Sequence, residues 1–119
     1  MALILVVDDS QDILILVKDF LIGLGHTCRL AASGRQALDV LKAEDFDLII
    51  SDYQMENGDG LWLLNELKNE LMALSCIIIS ADHTINKDQF ISAGASAFCP
   101  KPINWPQLEK EIHRLLPLA

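Results

Sequence analysis

The chain has 119 residues, the size of one domain over 1–119, and half of them (51%) are apolar, enough to bury a core. Its 9 basic and 17 acidic side chains leave a net charge of -8, which argues against the basic face that direct nucleic-acid binding needs. No apolar run approaches the ~20 residues required to cross a bilayer, and the apolar start Met1–Val7 lacks the basic flank of a secretory leader, so a cytoplasmic protein with no membrane contact is expected.

Along the chain, short apolar runs alternate with longer amphipathic stretches. Leu3–Val7 is a continuous aliphatic run and predicts a strand buried on both faces. Ser10 offers an N-cap to a helix over Gln11–Leu24, which Gly25 ends. Thr27–Ala31 predicts a second strand, and Ser33-Gly34 opens a helix over Arg35–Ala43 with Ala37, Leu38 and Leu41 on one face. Phe46–Ser51 is the third predicted strand, followed by the polar loop Asp52–Gly58. Asp59 caps a helix over Gly60–Leu71, with Leu61, Leu64, Leu67 and Leu71 expected inward.

Cys76–Ser80, dense in isoleucine, predicts a fourth strand. A less apolar helix over Ile85–Ala93 ends at Gly94, and Ala97–Cys99 is a brief fifth strand. Asn104 caps the last helix, which tolerates Pro106 in its first turn and turns Leu108, Ile112 and Leu115 inward. Five βα units in a row imply an α/β fold: a parallel sheet with right-handed crossovers and helices on both faces. At this length the favoured strand order is 2-1-3-4-5, the flavodoxin-like three-layer sandwich, whose ligand site lies beyond the carboxyl ends of the strands.

The chemistry-bearing residues fall at those ends. The first strand runs into Asp8-Asp9, the third into Asp52, the fourth into Ser80-Ala81, and the fifth leads to Lys101-Pro102. A single Asp at a strand end is usually only a helix cap. Three carboxylates from two adjacent strands instead repel one another, which a bound cation relieves, and hard oxygen ligands suit Mg²⁺. Cys28, Cys76 and Cys99 show no metal-ligand spacing and read as reduced, mostly buried small residues. His26, His83 and His113 are scattered, and Trp62 and Trp105 read as packing or partner-contact residues.

The stretches V-V-D-D at 6–9, I-I-S-D at 49–52, Met55–Gly60 as M-x-x-x-D-G, I-I-S-A at 78–81, G-A at 94–95 and F-C-P-K-P at 98–102 together resemble the receiver domains of bacterial two-component response regulators, over the whole chain. That resemblance implies a non-enzymatic phosphorelay switch. Asp52 is then the phosphoacceptor, charged by a sensor histidine kinase or a phosphotransfer protein. Mg²⁺ would be held by Asp9 directly, by Asp8 mainly through water, by Asp52 and by the backbone carbonyl of Gln54. Lys101 would neutralise the phosphoryl oxygens, Ser80 and the Ala81 backbone N–H would donate to them, and Pro102 would hold the Lys101 peptide in a cis turn. Ser80 and Phe98 would form the switch. The fourth helix, fifth strand and fifth helix would carry the output face and a homodimer contact, with the exposed face of Gln11–Leu24 as the docking surface for the kinase.

Three positions depart from the family pattern: Glu56 where proline is common, Pro100 before the lysine, and Ser80 where threonine is commoner. None removes a reactive group. Tyr53, Gln54 and Asp82 line the expected pocket mouth and would tune phosphoryl lifetime. Two rival readings are a Mg²⁺-dependent aspartyl-phosphate phosphohydrolase and a degenerate receiver that only binds protein. The first normally needs a second Asp where Gln54 stands. The second would typically lack the acidic pair or the lysine, and both are present.

Overall fold

The computed structural model describes residues 2–55, 59–70, 74–81 and 87–116. The aliphatic runs form one parallel sheet of β1 (Leu3–Val7), β2 (Thr27–Ala31), β3 (Leu48–Asp52), β4 (Ser75–Ser80) and β5 (Ala97–Pro100), in the order β2-β1-β3-β4-β5. Five helices connect or follow them: α1 (Gln11–Gly23), α2 (Gly34–Ala43), α3 (Gly60–Asn69), α4 (Lys87–Ala93) and α5 (Trp105–Leu115). The α/β architecture and strand order are those expected from the βα alternation. Among the described residues, no helix is long and apolar enough to cross a membrane.

Successive strand residues face opposite sides of the sheet, and the two cores follow that period of two. Ile4, Val6, Leu48, Ile50, Ile77 and Ile79 pack with Leu14, Val17 and Leu21 of α1 and Leu108 and Ile112 of α5. Leu5, Val7, Ile49 and Ile78 pack with Ala37 and Leu41 of α2, Leu63, Leu64 and Leu67 of α3 and Phe90 of α4. Trp105 lies against Phe20 with ring centroids 4.8 Å apart, so it helps join α5 to α1. Trp62 receives the Arg35 guanidinium over its ring at 5.4 Å.

Helix starts are fixed by side-chain caps. Ser10, Ser33, Asp59 and Asn104 accept the backbone N–H of Ile13, Gln36, Trp62 and Gln107 respectively. Such caps are each worth about 0.5–2 kcal/mol. The cap at Asp59 also sets which leucines point inward. Gly60 is the first buried position, and helical spacing then buries Leu63, Leu64 and Leu67. Leu61, expected inward, is only half-buried at the edge of the core.

The third strand starts at Leu48 rather than Phe46 and extends through Asp52. Asp47 spends its Oδ2 on the Leu3 N–H while its own N–H reaches the Leu3 carbonyl, fastening the approach without joining the strand. Leu71, Ile85, Glu56, Asp82 and His83, named from the sequence, lie outside the described residues. All three cysteines are free thiols, with Cys76 and Cys99 buried and Cys28 half-buried. Burial pushes the Cys76 thiol up to about 12 and, with the charge of Glu111, Cys99 to about 11, so neither is a ready nucleophile.

Candidate functional site

The sheet register brings the acidic residues together. Val7 pairs with Ser51, so the next residues, Asp8 and Asp52, emerge side by side at the carboxyl edge. This is where the strand order reverses, the usual place for a ligand in an open α/β sheet. Among the described residues, Asp8, Asp9 and Asp52 form one group in which one carboxylate oxygen from each lies within 4.8 Å of the others. Asp8 and Asp52 are buried, whereas Asp9 is exposed. Of the three histidines, His26 accepts the Ala2 N–H at the opposite edge of the sheet.

Lys101 reaches this group from the turn after β5. Its ammonium lies 3.4 Å from Asp8 Oδ2 and 3.4 Å from Asp52 Oδ2, bridging the two buried carboxylates. The turn is held by the Lys101 N–H, which donates to the Ser80 carbonyl at 2.8 Å, and the Lys101-Pro102 peptide is cis, as expected. With all three aspartates ionised, one ammonium against three carboxylates leaves two negative charges uncompensated. Burial and the charge of Asp8 raise the Asp52 pKa above the usual carboxylate value, opposed by Lys101 and by the Tyr53 N–H.

The remaining hydrogen bonds hold the carboxylates in place. Asp8 Oδ1 accepts the Ser10 N–H at 2.9 Å, and Asp52 Oδ1 accepts the Tyr53 N–H at 2.9 Å. Both oxygens of each buried carboxylate are therefore engaged, one by a backbone N–H and one by Lys101. The donor set fits a small hard cation: all oxygen, doubly anionic after Lys101, and partly open through Asp9. Mg²⁺ binds oxygen at about 2.0–2.1 Å, so ligands sharing one ion lie at most about 4.2 Å apart.

Ser80 is buried at the end of β4, and Ala81 beside it is exposed. Gln54 is exposed and, with Asp9, Met55 and Asp59, lines a cleft of about 430 Å³ beside the acidic group. Phe98 is half-buried on β5. Three further residues shape the site without having been given a role from the sequence. Ser51 is fully buried, and its hydroxyl donates to the Asp52 carbonyl at 2.9 Å. Gly60 packs where a Cβ would come within 2.9 Å of that same carbonyl, and its N–H donates to the Tyr53 carbonyl. Phe90 of α4 is fully buried between Tyr53 and Phe98. Ser51 and Gly60 fall within the I-I-S-D and M-x-x-x-D-G stretches, which were the visible signal for them; nothing in the sequence marked Phe90.

Comparison with known proteins agrees with this fold. Residues 4–113 match the family model of the response regulator receiver domain. The transcriptional regulatory protein ZraR of Escherichia coli is 32% identical over 95% of this chain, which spans 26% of that protein. The DNA-binding transcriptional regulator NtrC of Klebsiella pneumoniae is 34% identical over 83% of this chain and is spanned over 21% of its length. The chain thus spans about a quarter of the curated relatives it matches. Among solved structures, a Francisella response regulator receiver domain superposes with a TM-score of 0.91 at 28% identity, covering 97% of this chain and 96% of that one. The response regulator TrrA of Thermotoga maritima, solved in complex with Mg(2+)-BeF, gives 0.89 at 29% identity, covering 98% of this chain and 100% of that one.

Proposed function

The chain belongs to the response regulator receiver family of two-component systems, and from that premise we propose that it is a phosphoacceptor switch charged on Asp52. The observation that carries this reading is the convergence of three carboxylates and one lysine from β1, β3 and the turn after β5 on a single partly open site. Asp52 Oδ2 is the carboxylate oxygen that faces Lys101 rather than a backbone N–H. A lone pair of the Asp52 carboxylate forms the new O–P bond as the P–N bond of a phosphohistidine, on a sensor kinase or phosphotransfer protein, breaks. The released imidazole nitrogen keeps the bonding pair and takes a proton from solvent.

Lys101 shields the negative charge on the transferring group, and Ser80 and the Ala81 N–H donate hydrogen bonds to its oxygens. Asp9, Asp8, Asp52 and the Gln54 carbonyl would hold Mg²⁺; the two exposed members, Asp9 and Gln54, line one cleft, while Asp8 is already engaged by Ser10 and Lys101. When bound, the ion supplies the positive charge that Lys101 alone does not. The Mg(2+)-BeF complex of TrrA supports the same ligand chemistry here. The product is an aspartyl phosphate rather than a released compound, so the chain acts as a signalling switch and not as an enzyme on a general substrate.

The output face is formed by α4, β5 and α5, with Phe98 on it. The ZraR and NtrC relatives point to a transcriptional regulator as the setting of such a domain. The test is intact-mass spectrometry after incubation with Mg²⁺ and acetyl phosphate. One added phosphoryl group is expected, abolished by EDTA and by Asp52→Ala. Uptake that survives Asp52→Ala moves the acceptor elsewhere and defeats the assignment.

A further inference from the structure

Three aromatic rings run in contact from the acceptor to the output face. Tyr53 follows Asp52 directly, and its N–H donates to Asp52 Oδ1 while its carbonyl accepts from Gly60. The Tyr53 ring meets Phe90 edge-on, with centroids 4.9 Å apart and planes at 87°. Phe90 in turn lies nearly flat against Phe98, with centroids 4.9 Å apart and planes at 12°. Phe90 is fully buried and is the one buried residue that α4 contributes, whereas Tyr53 and Phe98 are half-buried.

We propose that Phe90 is a positioning residue that transmits the state of Asp52 to Phe98 through ring contacts with Tyr53, beside the route through the Ser80 hydroxyl. This rests on the phosphoacceptor reading above. Converting Asp52 to an acyl phosphate changes the charge on the carboxylate that accepts the Tyr53 N–H, so the peptide carrying the first ring responds directly to phosphorylation. That peptide cannot relax toward α3, because Gly60 already packs against it without room for a Cβ. Interiors are close-packed, and edge-on and stacked rings hold preferred orientations, so a displaced Tyr53 ring obliges Phe90 to move, and Phe90 obliges Phe98. Ser80 reaches the same face by a different path, since β4 pairs Ile78 with Phe98 and Ser80 with Pro100. Coupling of this kind is reciprocal: a partner that fixes Phe98 biases the Asp52 loop by the same factor.

The chain has four phenylalanines, so 4-fluorophenylalanine labelling yields four ¹⁹F signals, with Phe98 assigned from Phe98→Leu and Phe20 and Phe46 as references. Mg²⁺ with beryllofluoride, a stable phosphoryl mimic, is added to wild type, Phe90→Leu, Phe90→Met and Tyr53→Leu. In wild type the Phe98 signal should shift. In all three variants the shift should fall by about half or more. Phe90→Met keeps most of the side-chain volume without the ring, and Tyr53→Leu keeps the backbone donor while removing the first ring, so the experiment does not hang on one buried substitution. Phosphoryl uptake from acetyl phosphate by the Phe90 variants should stay within about threefold of wild type, because Phe90 touches no reacting atom. A Phe90 that serves only packing would lower the melting temperature and leave the Phe98 shift intact, and that result overturns the proposal. A wild-type protein that takes up no phosphoryl group would instead overturn the phosphoacceptor reading itself.

Discussion

The middle of the sheet and its carboxyl edge differ in what they bury. Across the middle, Ile4, Leu5, Leu48, Ile49, Ile77 and Ile78 are all wholly inaccessible and belong to the two apolar cores packed against the helix layers. At the edge, further along the same strands, stand Asp8, Ser51, Asp52 and Ser80, the buried polar and charged side chains among the described residues. Burial stabilises the first set and penalises the second. The fold is therefore held by one region, and the chemistry is placed where holding it together costs free energy.

Substitutions at comparable burial should then have opposite signs in the two regions. Ile77→Ala, in the middle of β4, should destabilise the domain by about 2–5 kcal/mol in urea unfolding. That is a large share of the ~5–15 kcal/mol available to a domain of this size. A loss under about 1 kcal/mol would break the comparison at its apolar end. Asp52→Asn, two residues beyond Ile50, should be neutral or stabilising without metal, since it removes one of three crowded negative charges. Clear destabilisation there would break it at the polar end.

Titration sharpens the same contrast. The pKa of Asp52 is raised by burial first and by the charge of Asp8 second. A carboxyl whose folded pKa lies above its unfolded value binds its proton more tightly when folded. Its contribution is fully present below the unfolded pKa and is lost as pH rises through the folded one. The stability advantage of Asp52→Asn over wild type should therefore be largest near neutral pH and shrink as pH falls through the acid range, as read from melting temperatures in EDTA. An advantage that grows on acidification would contradict the crowding. The smallest effect belongs to neither region. Arg29 pairs with Glu44 through two hydrogen bonds on the surface, both side chains well exposed, and Arg29→Ala should cost no more than about 1 kcal/mol.

The apolar region was largely legible in the sequence, because continuous aliphatic runs such as Leu3–Val7 have few alternatives to a doubly buried strand. The caps Ser10, Ser33, Asp59 and Asn104 were legible for the same local reason. The choice of Leu61 over Leu63 failed because a leucine-rich helix offers two stripes, and the Asp59 cap together with the close approach of Gly60 to the Asp52 carbonyl selects between them. At the edge, Asp8, Asp9, Asp52 and Lys101 were visible as chemistry at strand ends, and the sheet brings them together. The bridging of Lys101 between two carboxylates and the burial of Phe90 between Tyr53 and Phe98 were not visible. Both are contacts between residues far apart in sequence, and α4 buries a single residue, too few to show a period.

If the crowded edge is where phosphorus becomes attached, the product is an acyl phosphate on Asp52. After incubation with Mg²⁺ and acetyl phosphate, borohydride reduces an aspartyl phosphate to homoserine, which peptide mass spectrometry can locate. Homoserine should be found at position 52 and at no other aspartate, including Asp8 and Asp9 alongside. Homoserine at another position, or none while the protein has demonstrably gained a phosphoryl group, would contradict the account.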